Sequence, residues 1–236
     1  MQLWLCPLLA FLLGSIPCGL LIAKAQGIDI RQHGSGNIGA TNVLRVIGKK
    51  SGTACFLLDV VKGFIPVVVA LNLIRITGHH LQVPLGLPEA WTSNLAAGDA
   101  LKAQLVHVIT GLLAILGHNY SPWVGFKGGK GMATSTGVLL GLYPFFGIVL
   151  LALIWLGLFL VTRYVSVASI GAAAVLPLLT LGGAWHHGRI QNGTWNQPLF
   201  AFTVAIALLA IWKHRSNIQR LRNGTEHRFV LKAKRS

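Results

Sequence analysis

Leu3-Trp-Leu-Cys-Pro-Leu-Leu-Ala-Phe-Leu-Leu-Gly-Ser-Ile-Pro-Cys-Gly-Leu-Leu-Ile-Ala23 carries no charge, and the first cation after it is Lys24. A helix of about 20 apolar residues crosses the roughly 30 Å hydrocarbon core of a bilayer. The stretch has no basic leader and outruns the apolar core of a secretory signal, roughly 7 to 15 residues. It therefore reads as a retained transmembrane helix. Working outward, six more apolar segments follow at 53 to 74, 102 to 118, 131 to 143, 144 to 162, 167 to 184 and 198 to 212. The expected fold is an all-α polytopic membrane bundle of seven transmembrane helices. The 131 to 143 segment is short, and six spans result if it fuses with the next across Tyr143-Pro144. With no internal repeat, the chain reads as one domain, 1–236, ending in a basic tail at 213–236.

Composition agrees with that reading: 53% of residues are hydrophobic and 11% charged, and the mean hydropathy is +0.65. Such a chain is too apolar for an ordinary soluble domain. Its formal charge of +15, with only Asp29, Asp59, Glu89, Asp99 and Glu226 as acids, points to an anionic partner. A membrane chain makes nucleic acid the weakest candidate. Cationic loops stay cytoplasmic, and the seven-span reading puts sixteen Lys and Arg on one side against Arg75, Lys102 and Arg189 on the other. The amino terminus is then outside and the carboxyl terminus cytoplasmic. The glycine- and cation-rich stretches all fall on the cytoplasmic side.

The first such stretch is Gly34-Ser-Gly-Asn-Ile-Gly-Ala-Thr-Asn-Val-Leu-Arg45. Small donors at Ser35, Asn37, Thr41 and Asn42 surround Gly36 and precede one cation, Arg45. Bared amides beside a cation form an anion nest, whereas the plainer reading is a connector that marks the cytoplasmic side. The second is Gly117-His-Asn-Tyr-Ser-Pro-Trp-Val-Gly-Phe-Lys-Gly-Gly-Lys-Gly131. It sets Lys127 and Lys130 before an expected helix start, where free amides and the helix dipole favour anions. The alternative is a positive anchor. It is no Walker A loop, because position 124 is Val and Gly131 follows the lysine. Arg163-Tyr-Val-Ser166-Val-Ala-Ser169 is a weaker signal of the same kind.

In the tail, His214, Asn217 and Arg220 recur every three residues and share a face if the last helix continues beyond the membrane. His214 can accept a proton or orient a hydroxyl; a solvated basic tail on anionic lipid is the competing reading. Asp59 and Lys62 fall inside the second span at a spacing that lets them pair. Cys6, Cys18 and Cys55 lack metal or redox spacing and read as small buried hydrophobes. His79-His80 and His186-His187 read as surface residues with nothing arranged to complete a metal shell.

In order, Gly34 to Arg45, Asp59-Val-Val-Lys-Gly63, Gly117 to Thr134, Arg163 to Ser169 and His214 to Glu226 resemble the bacterial acyl-phosphate:glycerol-3-phosphate acyltransferases, the PlsY family, over nearly the whole chain. The departures are a longer segment at 78 to 101 and an added polar loop at 184 to 197. The resemblance implies an enzyme of the bacterial inner membrane, among membrane lipids, with its active site facing the cytoplasm. It would pass a fatty acyl group from acyl phosphate to the 1-hydroxyl of glycerol 3-phosphate, beginning phospholipid synthesis without metal or cofactor. Carried onto this sequence, the catalytic set is Ser35, Arg45, Lys127, Lys130, His214 and Asn217. The substrate-binding set is Gly36, Asn37, Thr41, Asn42, Gly128, Gly129, Gly131, Ser166 and Ser169.

Acyl phosphate is a mixed anhydride with an activated carbonyl, so positioning and charge neutralisation should dominate catalysis. No histidine here has Asp five residues later, which removes the His-x-x-x-x-Asp base of soluble-type glycerolipid acyltransferases. The proton acceptor is then His214 or a substrate phosphate oxygen, and the resemblance favours the substrate. An anion or organophosphate transporter is the alternative function, but transporters usually place their site at the bilayer midplane between repeated halves.

Overall fold

The structure is a computed structural model that describes residues 2–229; the last seven positions of the expected basic tail lie outside the described residues. Contacts divide the chain into two compact units, Met1–Tyr143 and Pro144–Ser236.

The first unit holds α1 (Gln2–Gly14), α2 (Cys18–Lys24), α3 (Ala40–Val46), α4 (Lys49–Leu73), α5 (Ala100–Asn119) and α6 (Met132–Leu142). Its opening span is broken rather than continuous. Pro17 cannot donate to the preceding turn, and the freed carbonyls find buried donors. Ser15 Oγ bonds Leu12 O at 2.7 Å, Ser121 Oγ bonds Ser15 O at 2.6 Å, and Lys62 Nζ bonds Ile16 O at 2.7 Å. Close approach of helices is bought with glycine: a Cβ at Gly14 would meet the Ala114 carbonyl, and one at Gly137 the Val60 carbonyl. Such small-residue contacts suit helices packed in lipid, where burial of apolar surface gives no net drive.

Between α4 and α5 the chain departs from the all-helical expectation. Two short strands, β1 (Ile74–Ile76) and β2 (Ser93–Leu95), pair in parallel, with Ile74 opposite Ser93. Fully buried Asn72 organises the segment, donating to Val83 O and accepting from Leu85 N, both at 2.9 Å. Buried His107 meets Ile74 O at 2.8 Å. The length of this segment was legible in the sequence; its pairing rests on these two buried side chains.

The second unit holds α7 (Phe145–Thr162), α8 (Val165–His186), α9 (Gln197–Lys213) and α10 (Arg215–Arg222). None of the α7 residues is buried, as expected of a helix bathed in lipid. Asn196 caps α9 by accepting from Leu199 N at 2.9 Å. The last helix does not run straight out of the membrane: α9 and α10 meet at 52° across His214. The described part of the tail is held at its end, where Phe229 N bonds Arg163 O at 2.9 Å and the Phe229 ring packs edge-on against Phe159.

Among the described residues, five helical stretches are long and apolar enough to cross a membrane, or six if α9 and α10 count together. The expected fourth span, α6, has 11 residues; at about 1.5 Å each they rise roughly 16 Å, about half a hydrocarbon core.

Candidate active site

The first glycine-rich stretch is only partly a loop. Gly39 caps α3, which places Thr41, Asn42 and Arg45 on a helix too short for sequence periodicity to announce. Asn42, 2% exposed, is the keystone. Its Nδ2 reaches His33 O at 2.9 Å, Asn37 O at 3.0 Å and Ile30 O at 3.3 Å, and its Oδ1 accepts from Ser35 N at 2.9 Å. Gly34 lies flush against that amide in the left-handed region, φ +62°. Asn37 Oδ1 accepts from Gly39 N at 2.8 Å. Asn42 therefore shapes the loop, while Ser35 and Arg45 stand exposed on its surface and Gly36, Asn37 and Thr41 are half-buried.

The second stretch lies on the carboxyl end of α5. Gly129 N donates to His118 O at 3.1 Å. A Cβ at Gly128 would meet the His118 carbonyl, one at Gly129 the His118 ring, and one at Gly131 the Asn119 amide oxygen. These three glycines let the loop seat itself on α5. Gly131, φ +79°, then caps α6, so Lys127 and Lys130 precede a helix start as expected, Lys127 exposed and Lys130 half-buried. The first-turn amides of such a helix have no partner within it. Phe126 takes a left-handed conformation, φ 61°, uncommon for a bulky residue.

One apolar core joins the two stretches. Val124, just before the lysine loop, packs in one cluster with Ile38 and Val43 of the first stretch and with Leu20, Ala23, Ile30 and Cys55. Beneath it lies a polar cluster: Asp59 and Lys62 pair at 2.7 Å with side chains 2% and 4% exposed, and His118 Nδ1 stands 3.6 Å from the same carboxylate.

In the second unit, Glu226 is the organising residue, and sequence reasoning did not single it out. Its Oε1 accepts from Asn217 Nδ2 at 2.6 Å and Ser166 Oγ at 2.8 Å, and its Oε2 accepts from Arg220 Nε at 2.7 Å. Burial works to raise its pKa, but the bonds from Asn217, Ser166 and Arg220 outweigh it and hold the carboxyl below its ordinary value. The turn at Asn223-Gly224, with Gly224 at φ +69°, brings Glu226 back to α10. Its signal in the sequence was being one acid among so many cations. Ser169 is engaged elsewhere, accepting from Trp155 Nε1 at 3.3 Å.

His214 is 3% exposed, and its Nδ1 lies 2.7 Å from Ala210 O. A carbonyl can only accept, so Nδ1 carries the proton, and in the neutral ring Nε2 is then the acceptor nitrogen. The arrangement can hold anions on backbone amides and cations in the first unit, and in the second it offers an imidazole acceptor beside an anchored Asn217.

The family model described as glycerol-3-phosphate acyltransferase matches residues 4–224. Proteins of that name are similar across the chain. The one from Geobacter metallireducens is 47% identical over 220 residues, covering 93% of this chain and 94% of that one. The one from Aquifex aeolicus is 42% identical over 221 residues, covering 93% and 95%. Among solved structures, the glycerol 3-phosphate form of PlsY, an integral membrane glycerol 3-phosphate acyltransferase, matches with a TM-score of 0.77 at 37% identity, covering 98% of this chain and 96% of that one. Its lysophosphatidic acid form matches at 0.75 with the same identity.

Proposed function

The chain belongs to the glycerol-3-phosphate acyltransferase family, and on that premise we propose that it moves a fatty acyl group from acyl phosphate to the 1-hydroxyl of glycerol 3-phosphate. The products are 1-acylglycerol 3-phosphate and inorganic phosphate. One observation carries the reading: a lysine-bearing glycine loop at the start of α6 shares its apolar floor with the Asn42-built loop that presents Ser35 and Arg45. Two phosphates must be held against mutual repulsion, and this chain supplies cations and amides with few acids nearby.

In the reaction the glycerol hydroxyl oxygen attacks the acyl carbonyl, the bond from that carbon to the phosphate oxygen breaks, and the hydroxyl proton passes to a substrate phosphate oxygen. Lys127, Lys130 and Arg45 neutralise the phosphates, with the amides of Gly128, Gly129 and Gly131 beside them. Ser35, Asn37 and Thr41 serve the same cradle. His214, through Nε2, and Asn217 orient the glycerol hydroxyl, while Ser166 holds the carboxylate that anchors Asn217. We place the whole family match, and hence both compact units, in one functional domain.

The charge distribution supports seven crossings in a bacterial inner membrane, with the amino terminus outside and the catalytic loops cytoplasmic. α6 then serves as the short span, sheltered by its glycine contacts with α4. Full chain reconstituted in nanodiscs tests the donor. Acyl phosphate with glycerol 3-phosphate is expected to yield lysophosphatidate, and an acyl thioester is expected to yield none. Equal turnover with the thioester would overturn the donor assignment.

A further inference from the structure

One turn of α4 touches both ends of the lysine loop. Ahead of the loop, Asp59 faces His118, the next-to-last residue of α5. Beyond the loop, a Cβ at Gly63 would meet the Thr134 carbonyl in the first turn of α6, and Val60 O lies against Gly137. The His118 imidazole sits between the α4 carboxylate and Gly129, where Nε2, Cε1 and Cδ2 are the atoms nearest a Cβ placed on that glycine. The carboxylate is itself fixed by Lys62, which also donates to Ile16 O in the break between α1 and α2. Cys55 Sγ approaches the other carboxylate oxygen at 3.8 Å. Asp59, Lys62 and His118 are all 5% exposed or less.

We infer that His118, held by Asp59 and Lys62, is a positioning residue for the phosphate-binding loop: its ring is the platform on which Gly129 rests, and so it sets where Lys127 and Lys130 meet the substrate phosphates. This rests on the acyltransferase reading of the loop. A buried ion pair that only stabilised the helix would have no reason to address a loop glycine through a third residue. Charge and ring together give the loop a fixed height, which a bare apolar contact would leave free to slide.

The test is a double-mutant cycle on the full reconstituted chain with His118→Ala, Gly129→Ala and both together. Kd for glycerol 3-phosphate is read by calorimetry, KM for both phosphate substrates and kcat by turnover, and folding by the thermal midpoint. Gly129→Ala, whose new methyl meets the ring, is expected to weaken binding or raise KM for a phosphate substrate at least tenfold with a smaller change in kcat. His118→Ala in the same chain should recover at least threefold of that loss, although it removes another native contact. Independent, multiplying effects of the two substitutions would overturn the inference, as would wild-type binding and KM in Gly129→Ala.

If His118→Ala does not fold, His118→Asn opens the same space and enters the same cycle. Failure of both to fold would make His118 a structural residue and end the positioning role. The wild-type chain separates this inference from the reading beneath it: glycerol 3-phosphate binding without lysophosphatidate formation would refute the enzyme, while the cycle on Kd would still report on the platform.

Discussion

Asp59 and Glu226 are two of only five acids in the chain, and each gathers several donors, but in opposite surroundings. Asp59 lies inside a span against an ammonium and an imidazole, all three side chains 5% exposed or less. Glu226 lies past the last span and holds neutral Ser166 and Asn217 together with Arg220, whose side chain is 31% exposed. The first acts on the proposed site at one remove, through a ring beneath a glycine. The second holds a site residue by its own oxygen. Damage to Asp59 should therefore appear first in folding, and damage to Glu226 first in kinetics and local order.

The largest expected effect is that of Asp59→Leu, which leaves the Lys62 ammonium buried without its counter-charge. Breaking such a pair costs about 3–5 kcal/mol, visible as a fall in the thermal midpoint and in yield. Adding Lys62→Met should recover most of the loss, because an apolar pair of similar volume is often neutral. A double variant no better than the single would show that the lysine's bond to Ile16 O, not the pair, is what matters.

Glu226→Gln is expected to cost less, about 1.5–3 kcal/mol for hydrogen bonds to a charged group, and to speed hydrogen exchange in α10. Acid sharpens the contrast. The folded carboxyl titrates below its unfolded value of about 4.3, so its stabilisation is complete above about pH 4.3 and is lost as pH falls through the lower folded pKa. The gap in thermal midpoint between wild type and Glu226→Gln should hold steady from neutrality to that point and close below it.

His214→Gln tests whether the Glu226 region serves substrate orientation. Losing one neutral hydrogen bond is worth about 0.5–1.5 kcal/mol, roughly a twofold to twelvefold rise in KM for glycerol 3-phosphate, with turnover retained. Abolished turnover at unchanged affinity would instead make the histidine the proton acceptor. The smallest effect belongs to Asp29→Asn. Arg31 beside it, through side-chain and backbone bonds, pulls the Asp29 carboxyl down to about 2, yet the pair is open to solvent and its removal should leave the thermal midpoint unchanged.

The long helices were legible because each is a predominantly apolar run, and the Asp59–Lys62 pair because a spacing of three puts two charges on one helix face. Other features depend on contacts that no local pattern encodes. The break before Pro17 is stabilised by Ser121 and Lys62, far along the chain. α3 has seven residues and no side-chain cap. Composition showed a surplus of donors around Asn42 but could not tell donors facing a ligand from donors consumed by the loop. Nor could it show that His118 would lie under Gly129 or that Glu226 would fold back onto Asn217.

The central claim, that the lysine loop handles substrate phosphate, is tested most directly by initial rates of Lys127→Ala and Lys130→Ala in nanodiscs, with each substrate varied in turn. The account predicts that each substitution raises KM for at least one phosphate-bearing substrate about tenfold or more while the thermal midpoint stays at the wild-type value. Unchanged KM for both substrates in both variants would contradict it.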